Sequence, residues 1–344
     1  MKKKVALLMS GGVDSSYCAH LLQEQGYEVV GIYLKLHNKE AKHQVFIANC
    51  QKVAKHLNLE FHIIEAQNEF KQVVYDEFIA AYKRGETPNP CAICNPHIKF
   101  GLAFERAKSF GADCIATGHY ARICDYNGVK RIKKAYDSTK DQSYFLYALS
   151  QDSIDSIIFP LGGRKKSDIK PVALKMLPFL GTLETYKDSQ EICFVESDYI
   201  DVLKKYEQVE QVGKVKNAKG EVIGEHRGYM QYTIGKRKGF SVFGAHEPHY
   251  VMDINPQTNE IIAGTKDELK VTHIRAQNRS LPKDFKSGEY EVKIRYRSEP
   301  IKANIQIQDD IITAELKEPA FGVARGQALV AYDGEVVLGG GVIV

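Results

Sequence analysis

The sequence predicts an α/β protein with a parallel-sheet domain over residues 1–195, a small central domain over 196–265 and a β-barrel over 266–344. Three observations predict it. Strand-like and helix-like segments alternate over the first ~120 residues, the pattern of a parallel sheet covered on both faces. A glycine-rich polar turn follows the first apolar run. Period-two runs crowd the chain from about residue 266, the density of a small barrel or sandwich.

The elements follow in order. Val5 to Met9 is a short apolar strand, and Ser10-Gly11-Gly12-Val13-Asp14-Ser15 leads from it into a helix over 17–25 with Ala19, Leu21 and Leu22 on one side. Glycines let backbone N–H groups approach oxyanions, and a helix N-terminus adds its positive dipole end, so this turn reads as a phosphate cradle. The bland alternative is a βα turn with a serine cap. The chain has no Walker A spacing. Tyr27 to Leu36 reads as a strand, Val45 to Leu57 as a helix, Phe61 to Ile64 as a strand, Phe70 to Tyr82 and Ile98 to Phe110 as helices, and Asp113 to Ala116 as a buried strand. Ligands of such sheets bind outside the strand carboxyl ends, where the glycine turn sits. Tyr120 to Ala135 reads as a hairpin turning at Asn127-Gly128. Ser150 to Leu180 reads as mostly helical, broken at Pro160 to Gly163 and at Pro171. Beyond Asp198 the character changes, and runs at 290–296, 303–308, 311–316, 327–332 and 335–338 read as short strands.

Length and composition bound the function. At 344 residues the chain holds two or three domains, with 44% hydrophobic and 26% charged residues, an ordinary globular balance. The net charge of +4 is too weak to announce nucleic acid by itself. The apolar run behind Lys2 to Lys4 is too short for a secretory segment, and no run approaches the ~20 apolar residues of a membrane span. Seven cysteines, including a C-x-x-C pair and without an export signal, read as thiols or ligands in a cytoplasmic protein.

Two further segments carry chemistry. In Thr87-Pro88-Asn89-Pro90-Cys91-Ala92-Ile93-Cys94-Asn95 two prolines stiffen a loop, and Cys94 is placed near a helix start, where the dipole favours the thiolate. In Asp188 to Phe194, Cys193 stands in a mixed polar and apolar stretch.

The turn at Ser10 to Ser15 resembles the PP-loop of ATP pyrophosphatases, a fold of the adenine nucleotide α-hydrolase type. With the Asn89 to Asn95 loop, Ala116 to Arg122, Lys140 to Leu146, Ile192 to Phe194, Tyr232 to Gly239, Arg295 to Ser298 and Gly326 to Ala328, essentially the whole chain resembles the tRNA-uridine 2-sulfurtransferases. The resemblance implies ATP-dependent 2-thiolation of the wobble uridine in tRNAs for Lys, Glu and Gln. It implies ATP at Leu8, Met9, Ser10 to Ser15, Leu34 and Gly118, adenylation of the uridine C2 oxygen, a persulfide on Cys193, and Cys94 as the thiol that ends in a transient disulfide with Cys193. Asp14 is expected to help hold Mg²⁺. Asn89, Pro90 and the residue at 91 are expected to frame the extruded base, and His119, Lys140, Asp141, Gln142, Arg295, Tyr296 and Gln327 to contact the anticodon arm. The implied partners are tRNA and an upstream persulfide carrier or cysteine desulfurase, with no membrane.

One departure matters. Many members of that family have aspartate where this chain has Cys91. Cys91, Cys94 and Cys193 are therefore readable as a metal-free persulfide site, an iron–sulfur site or a zinc site; the metal-free reading is preferred. Cys18, Cys50, Cys114 and Cys124 read as structural thiols. Basic clusters at Lys130 to Lys134, Arg164 to Lys166, Lys236 to Lys238 and Arg295 with Arg297 read as solvated faces singly and as a phosphate path together. The rival functions are a PP-loop ligase acting on a small molecule and a zinc-binding RNA chaperone.

Overall fold

The computed structural model describes residues 2–186, 192–195, 197–282 and 285–344. The chain forms two units that interleave along the sequence: 1–74 with 91–190 and 333–338, and 75–90 with 191–332 and 339–344.

In the first unit β1 (Lys4–Leu8), β2 (Glu28–Lys35), β3 (Glu60–Glu65), β4 (Cys114–Thr117) and β7 (Ile157–Ile158) form a parallel sheet in the order β3-β2-β1-β4-β7. Their near-continuous apolar runs fit a sheet covered on both faces. Helices α1 (Val13–Glu24) and α2 (Glu40–Leu57) follow β1 and β2. The chain moves outward from β1 in both directions, so the end of β1 is the point where the strand order reverses, the usual ligand crevice. Val5, Leu7, Val13, Cys18, Leu22, Cys50 and Val53 meet in the core beneath it.

The hairpin β5 (Arg122–Tyr126) and β6 (Val129–Lys133) turns at Asn127 (φ 54°) and Gly128 (φ 81°), the two left-handed residues of a tight hairpin, as the sequence expects. Pro171, expected to break helix, lies inside the helix Lys166–Met176. A proline there forfeits one backbone hydrogen bond, while Ile169, Ala173 and Leu174 keep the helix buried.

In the second unit β8 (Gly213–Lys216), β9 (Val222–His226), β10 (Phe240–Val242), β11 (Tyr250–Asn255) and β12 (Glu260–Gly264) form a sheet ordered β10-β9-β8-β12-β11 around Val215, Tyr232, Val251 and Ile261. β13 (Lys270–Asn278), β14 (Gly288–Lys293), β15 (Ile301–Gln308), β16 (Ile311–Phe321) and β17 (Ala328–Asp333) run in the order β13-β16-β15-β14-β17. The end of β18 (Val336–Ile343) pairs back on β13, Ile343 opposite Ala276, and closes a barrel. Closure removes the open edges that period-two strands would otherwise expose.

Candidate active site

The glycine turn of the first unit is closed by its own hydroxyls. Met9 N donates to Ile32 O at 2.8 Å, which extends the register of β1 to the turn. Ser10 N donates to Ser15 Oγ at 3.1 Å, and the hydroxyls of Ser15 and Ser16 reach Gly12 O. Gly11 has φ +74°, and a Cβ there would stand 2.7 Å from Phe46 O, so only glycine fits. A Cβ on Gly118 would stand 3.2 Å from Ser15 N, so Gly118 is bare because it lies against the start of α1. Ser16 N bonds Gly12 O. The N–H groups of Val13, Asp14 and Ser15 therefore precede the helical ladder and point out of the helix end. Leu8 to Ser15 and Gly118 come together here, and Leu34 stands at the end of the neighbouring β2.

Asp14 does not face this opening as a bare carboxylate. Its Oδ1 accepts from Lys166 Nζ at 2.5 Å and from the Tyr120 hydroxyl at 3.0 Å. Lys166 is only 6% exposed. Burial, then the Asp14 charge, pushes the Tyr120 phenol far above its ordinary value, so it stays a donor. Oδ1 is thus committed to an ammonium and a phenol, which leaves Oδ2 as the oxygen for the magnesium ion expected at Asp14. The cation at the turn is Lys166, paired with Asp14; sequence reasoning left Lys166 in a surface cluster. The signal available was its place at the start of the helix Lys166–Met176. Lys166 also lines, with Tyr136, Asp137, Thr139, Lys140 and Lys165, a pocket of about 440 Å³.

Near that pocket Asp141 and Gln142 serve the backbone. Asp141 Oδ1 accepts from Ala135 N at 2.8 Å and its Oδ2 from the Ser143 hydroxyl, while Gln142 Oε1 accepts from Tyr120 N at 3.0 Å. His119 Nδ1 lies 2.7 Å from Thr117 Oγ1, and its ring forms a triangle with those of Phe100 and Phe159. Burial, reinforced by Lys99, holds its pKa well below 6.5, so the imidazole is neutral.

The helix carrying Cys94 begins eight residues before the expected Ile98. It runs as Pro90–Cys94, a wide π turn Asn95–Leu102, and Ala103–Lys108. Pro96 reads as a helix start because it cannot donate in a helix interior; the wide turn accommodates it. Cys94 is thus buried within the helix, and Cys91 occupies its first turn. Burial raises the Cys91 thiol, against the opposing charge of Lys99. Asn95, 1% exposed, donates to Phe145 O at 2.9 Å and keeps its buried Oδ1 without a partner. Of the cysteines expected to be structural, Cys18, Cys50 and Cys114 are buried and Cys124 is half-buried; burial pushes Cys50 up to about 12.

The second unit holds the helix Asp76–Lys83. Phe194, next to the exposed Cys193, packs on Phe78 and Tyr75 with ring centroids 5.1 Å away in each case. Asp188 to Glu191 of that motif lie outside the described residues. The same helix leads into the loop Thr87 to Pro90. There Gln327 Nε2 donates to Thr87 O at 2.9 Å and Pro88 O at 3.1 Å, and Thr87 N donates to Arg325 O at 2.8 Å. Both amide hydrogens of Gln327 are spent on this loop. Asn89 is 9% exposed. Arg295 directs Nη2 to Ile234 O at 2.7 Å, and Tyr296 O receives Lys293 Nζ.

Cys91 and Cys94 belong to the first unit and Cys193 to the second. Among the described residues no disulfide is formed and no group of three or more His, Cys, Asp or Glu side chains is placed to hold a metal ion. No described helix is long and apolar enough to cross a membrane.

Comparison with known proteins agrees with this arrangement. Residues 3–197 match the family described as tRNA methyl transferase HUP domain, 200–265 its PRC-barrel domain, and 266–343 the aminomethyltransferase beta-barrel domain. The tRNA-specific 2-thiouridylase MnmA of Helicobacter hepaticus is 64% identical over 99% of both chains. Those of Helicobacter acinonychis and a Nitratiruptor species are 59% identical over 99% of this chain and all of theirs, and 50% identical over the full length of both. With this identity across its whole length, the chain belongs to the family of tRNA-specific 2-thiouridylases, sulfurtransferases that modify tRNA.

Proposed function

We propose that the chain uses ATP to thiolate C2 of the wobble uridine in tRNAs for Lys, Glu and Gln, with Cys193 as the persulfide carrier and Cys94 as its partner. The observation that carries the ATP half is the turn at the end of β1, where the backbone N–H groups at the head of α1 precede the helical ladder and suit a phosphate. Leu8 to Ser15, Leu34 and Gly118 form the nucleotide site in this reading. The uridine C2 oxygen attacks the α-phosphate, the bond to the β-phosphate breaks and pyrophosphate leaves. The base must leave its stack to present C2. Asn89, Pro90 and Cys91 frame it; Cys91 serves there as a small neutral side chain, with no metal.

Sulfur transfer then balances in two displacements. The outer sulfur of the Cys193 persulfide attacks C2, and AMP departs with the electron pair of the broken C–O bond. The Cys94 thiolate attacks Cys193 Sγ, the S–S bond to the new substituent breaks, and its electron pair stays on the sulfur at C2. The resulting Cys94–Cys193 disulfide needs a two-electron thiol reductant before the next turnover, and a persulfide carrier or cysteine desulfurase reloads Cys193. Exposure of Cys193 suits reloading by a protein. Lys140, Tyr296 and Arg295 contact the anticodon arm. Asp141, Gln142 and Gln327 act on it through the backbone they hold, and His119 acts as a neutral imidazole.

The test is Cys193→Ser. Pyrophosphate release in the presence of tRNA persists and 2-thiouridine formation stops. Thiolation surviving the change removes Cys193 from the reaction, and equal pyrophosphate release without tRNA favours the small-molecule ligase.

A further inference from the structure

We propose that Tyr186 belongs to the nucleotide site: its phenol oxygen holds the seat of a phosphate oxygen at the head of α1 and must yield it when ATP binds. This rests on the ATP reading above and adds a residue that sets the affinity of the turn. Val13 N donates to Tyr186 Oη at 3.0 Å. Val13 is the first residue of the 12-residue α1, so its N–H has no carbonyl in a preceding turn and is one of the groups a phosphate would take. The ring tip lies over the glycine turn itself, 3.1 Å from where a Cβ on Gly12 would stand. A nucleotide phosphate seated on Val13 N–H and Tyr186 in this position would occupy the same space.

The ring is held from behind. Lys170 Nζ donates to Tyr186 O at 3.1 Å and lies 5.3 Å from the ring centroid, and Tyr186 N donates to Thr182 O at 2.9 Å. The contest favours the nucleotide. A phosphate oxygen is charged, and hydrogen bonds to charged acceptors are roughly twice as strong as those to a neutral phenol. Displacing the ring also frees the Lys170 ammonium from the ring face. Tyr186 therefore lowers resting affinity and couples occupancy of the turn to the position of the 182–186 segment.

Two measurements test this, both with α,β-methylene-ATP and saturating tRNA on the full chain. Tyr186→Phe keeps the ring and deletes the competing oxygen, so calorimetric affinity rises by about three- to tenfold, the worth of one ordinary hydrogen bond. Leu183 is exposed and the chain has no tryptophan, so Leu183→Trp places a single indole on the segment. Its emission changes with nucleotide and saturates with binding. Affinity unchanged or weakened in Tyr186→Phe, or constant emission in Leu183→Trp while calorimetry records binding, overturns the inference. No binding to the unmodified chain overturns the ATP reading, and this inference with it.

Discussion

At Asp14 one carboxylate oxygen carries two donors, an ammonium from 152 residues away and a phenol from 106. Removing one partner of a buried ion pair strands the other charge, at a cost of about 3–5 kcal/mol. Asp14 keeps a third of its side chain in water, so Lys166→Met is expected to cost nearer 2 kcal/mol in urea unfolding. Asp14→Asn with Lys166→Met costs less than the sum of the single changes, the mark of direct coupling. Pyrophosphate release falls roughly a hundredfold in Lys166→Met, because the Asp14 carboxylate is left unpaired beside the reacting phosphates; retention of full release removes the pair from the site. At Gln327 the spent amide hydrogens predict a role through Thr87 and Pro88. Gln327→Met lowers the single-turnover thiolation rate about tenfold, two lost hydrogen bonds' worth, while tRNA affinity moves less than twofold; the reverse pattern indicates a direct tRNA contact. The sequence exposed Asp14 and Gln327 as residues of interest but not their partners. A carboxylate in a phosphate loop suggests a metal, and only the fold brings Lys166 to it.

The elements around the turn were legible where apolar period and glycine placement agree. The β1–turn–α1 unit reads correctly in its order, because Gly11 must adopt a positive φ, but α1 starts at Val13 rather than Tyr17, so Asp14 and Ser15 belong to the helix and not to the turn. Gly118→Ala puts a methyl in tight contact with Ser15 N, and weakens nucleotide binding about tenfold with little change in melting temperature; unaltered binding shows that the turn tolerates the intrusion. The helix from Pro90 was misjudged because Pro96 imitates a helix start and no local pattern announces a π turn. Two-residue β7 was missed because a pair of isoleucines carries no period. Just past β2, His37 stacks on His43 at 4.1 Å, and burial, then the His43 charge, lowers its pKa to about 4. The unfolded chain therefore binds the extra proton first. Stability is full above about pH 6.5 and declines as pH falls toward 4, by about 1–2 kcal/mol once screening of a half-buried group is allowed for. His37→Gln flattens the stability–pH curve in that window; an unchanged curve would assign the slope to other groups.

Across the whole molecule the chain order conceals the grouping: residues 75–90 belong with 191–332, and 333–338 belong with the unit built from the N-terminal half. No composition shift marks either excursion. Charge behaves likewise, since a cluster read along the sequence says nothing of how many of its cations are already engaged. In the first cluster Lys133 pairs with Glu335 at 2.9 Å, Lys134 Nζ donates to Gly334 O, and Lys130 Nζ donates to Asp155 O. In the third, Lys236 donates to Gln231 O across the Tyr232 ring, and burial lowers its pKa, whereas Arg237 and Lys238 are exposed. A cation already bonded within the protein gains little from a phosphate, while an exposed one releases counterions when it binds. Each phosphate contact steepens the dependence of log affinity on log salt by about 0.7–0.9. Arg237→Gln and Lys238→Gln together are therefore expected to reduce that slope for tRNA by about 1.5, and Lys133→Gln with Lys134→Gln to leave it within about 0.3 of the unmodified chain. Filter binding over a salt series decides it. Equal reductions from both pairs would mean that tRNA pulls Lys133 and Lys134 from their partners, and that the engaged clusters belong to the phosphate path after all.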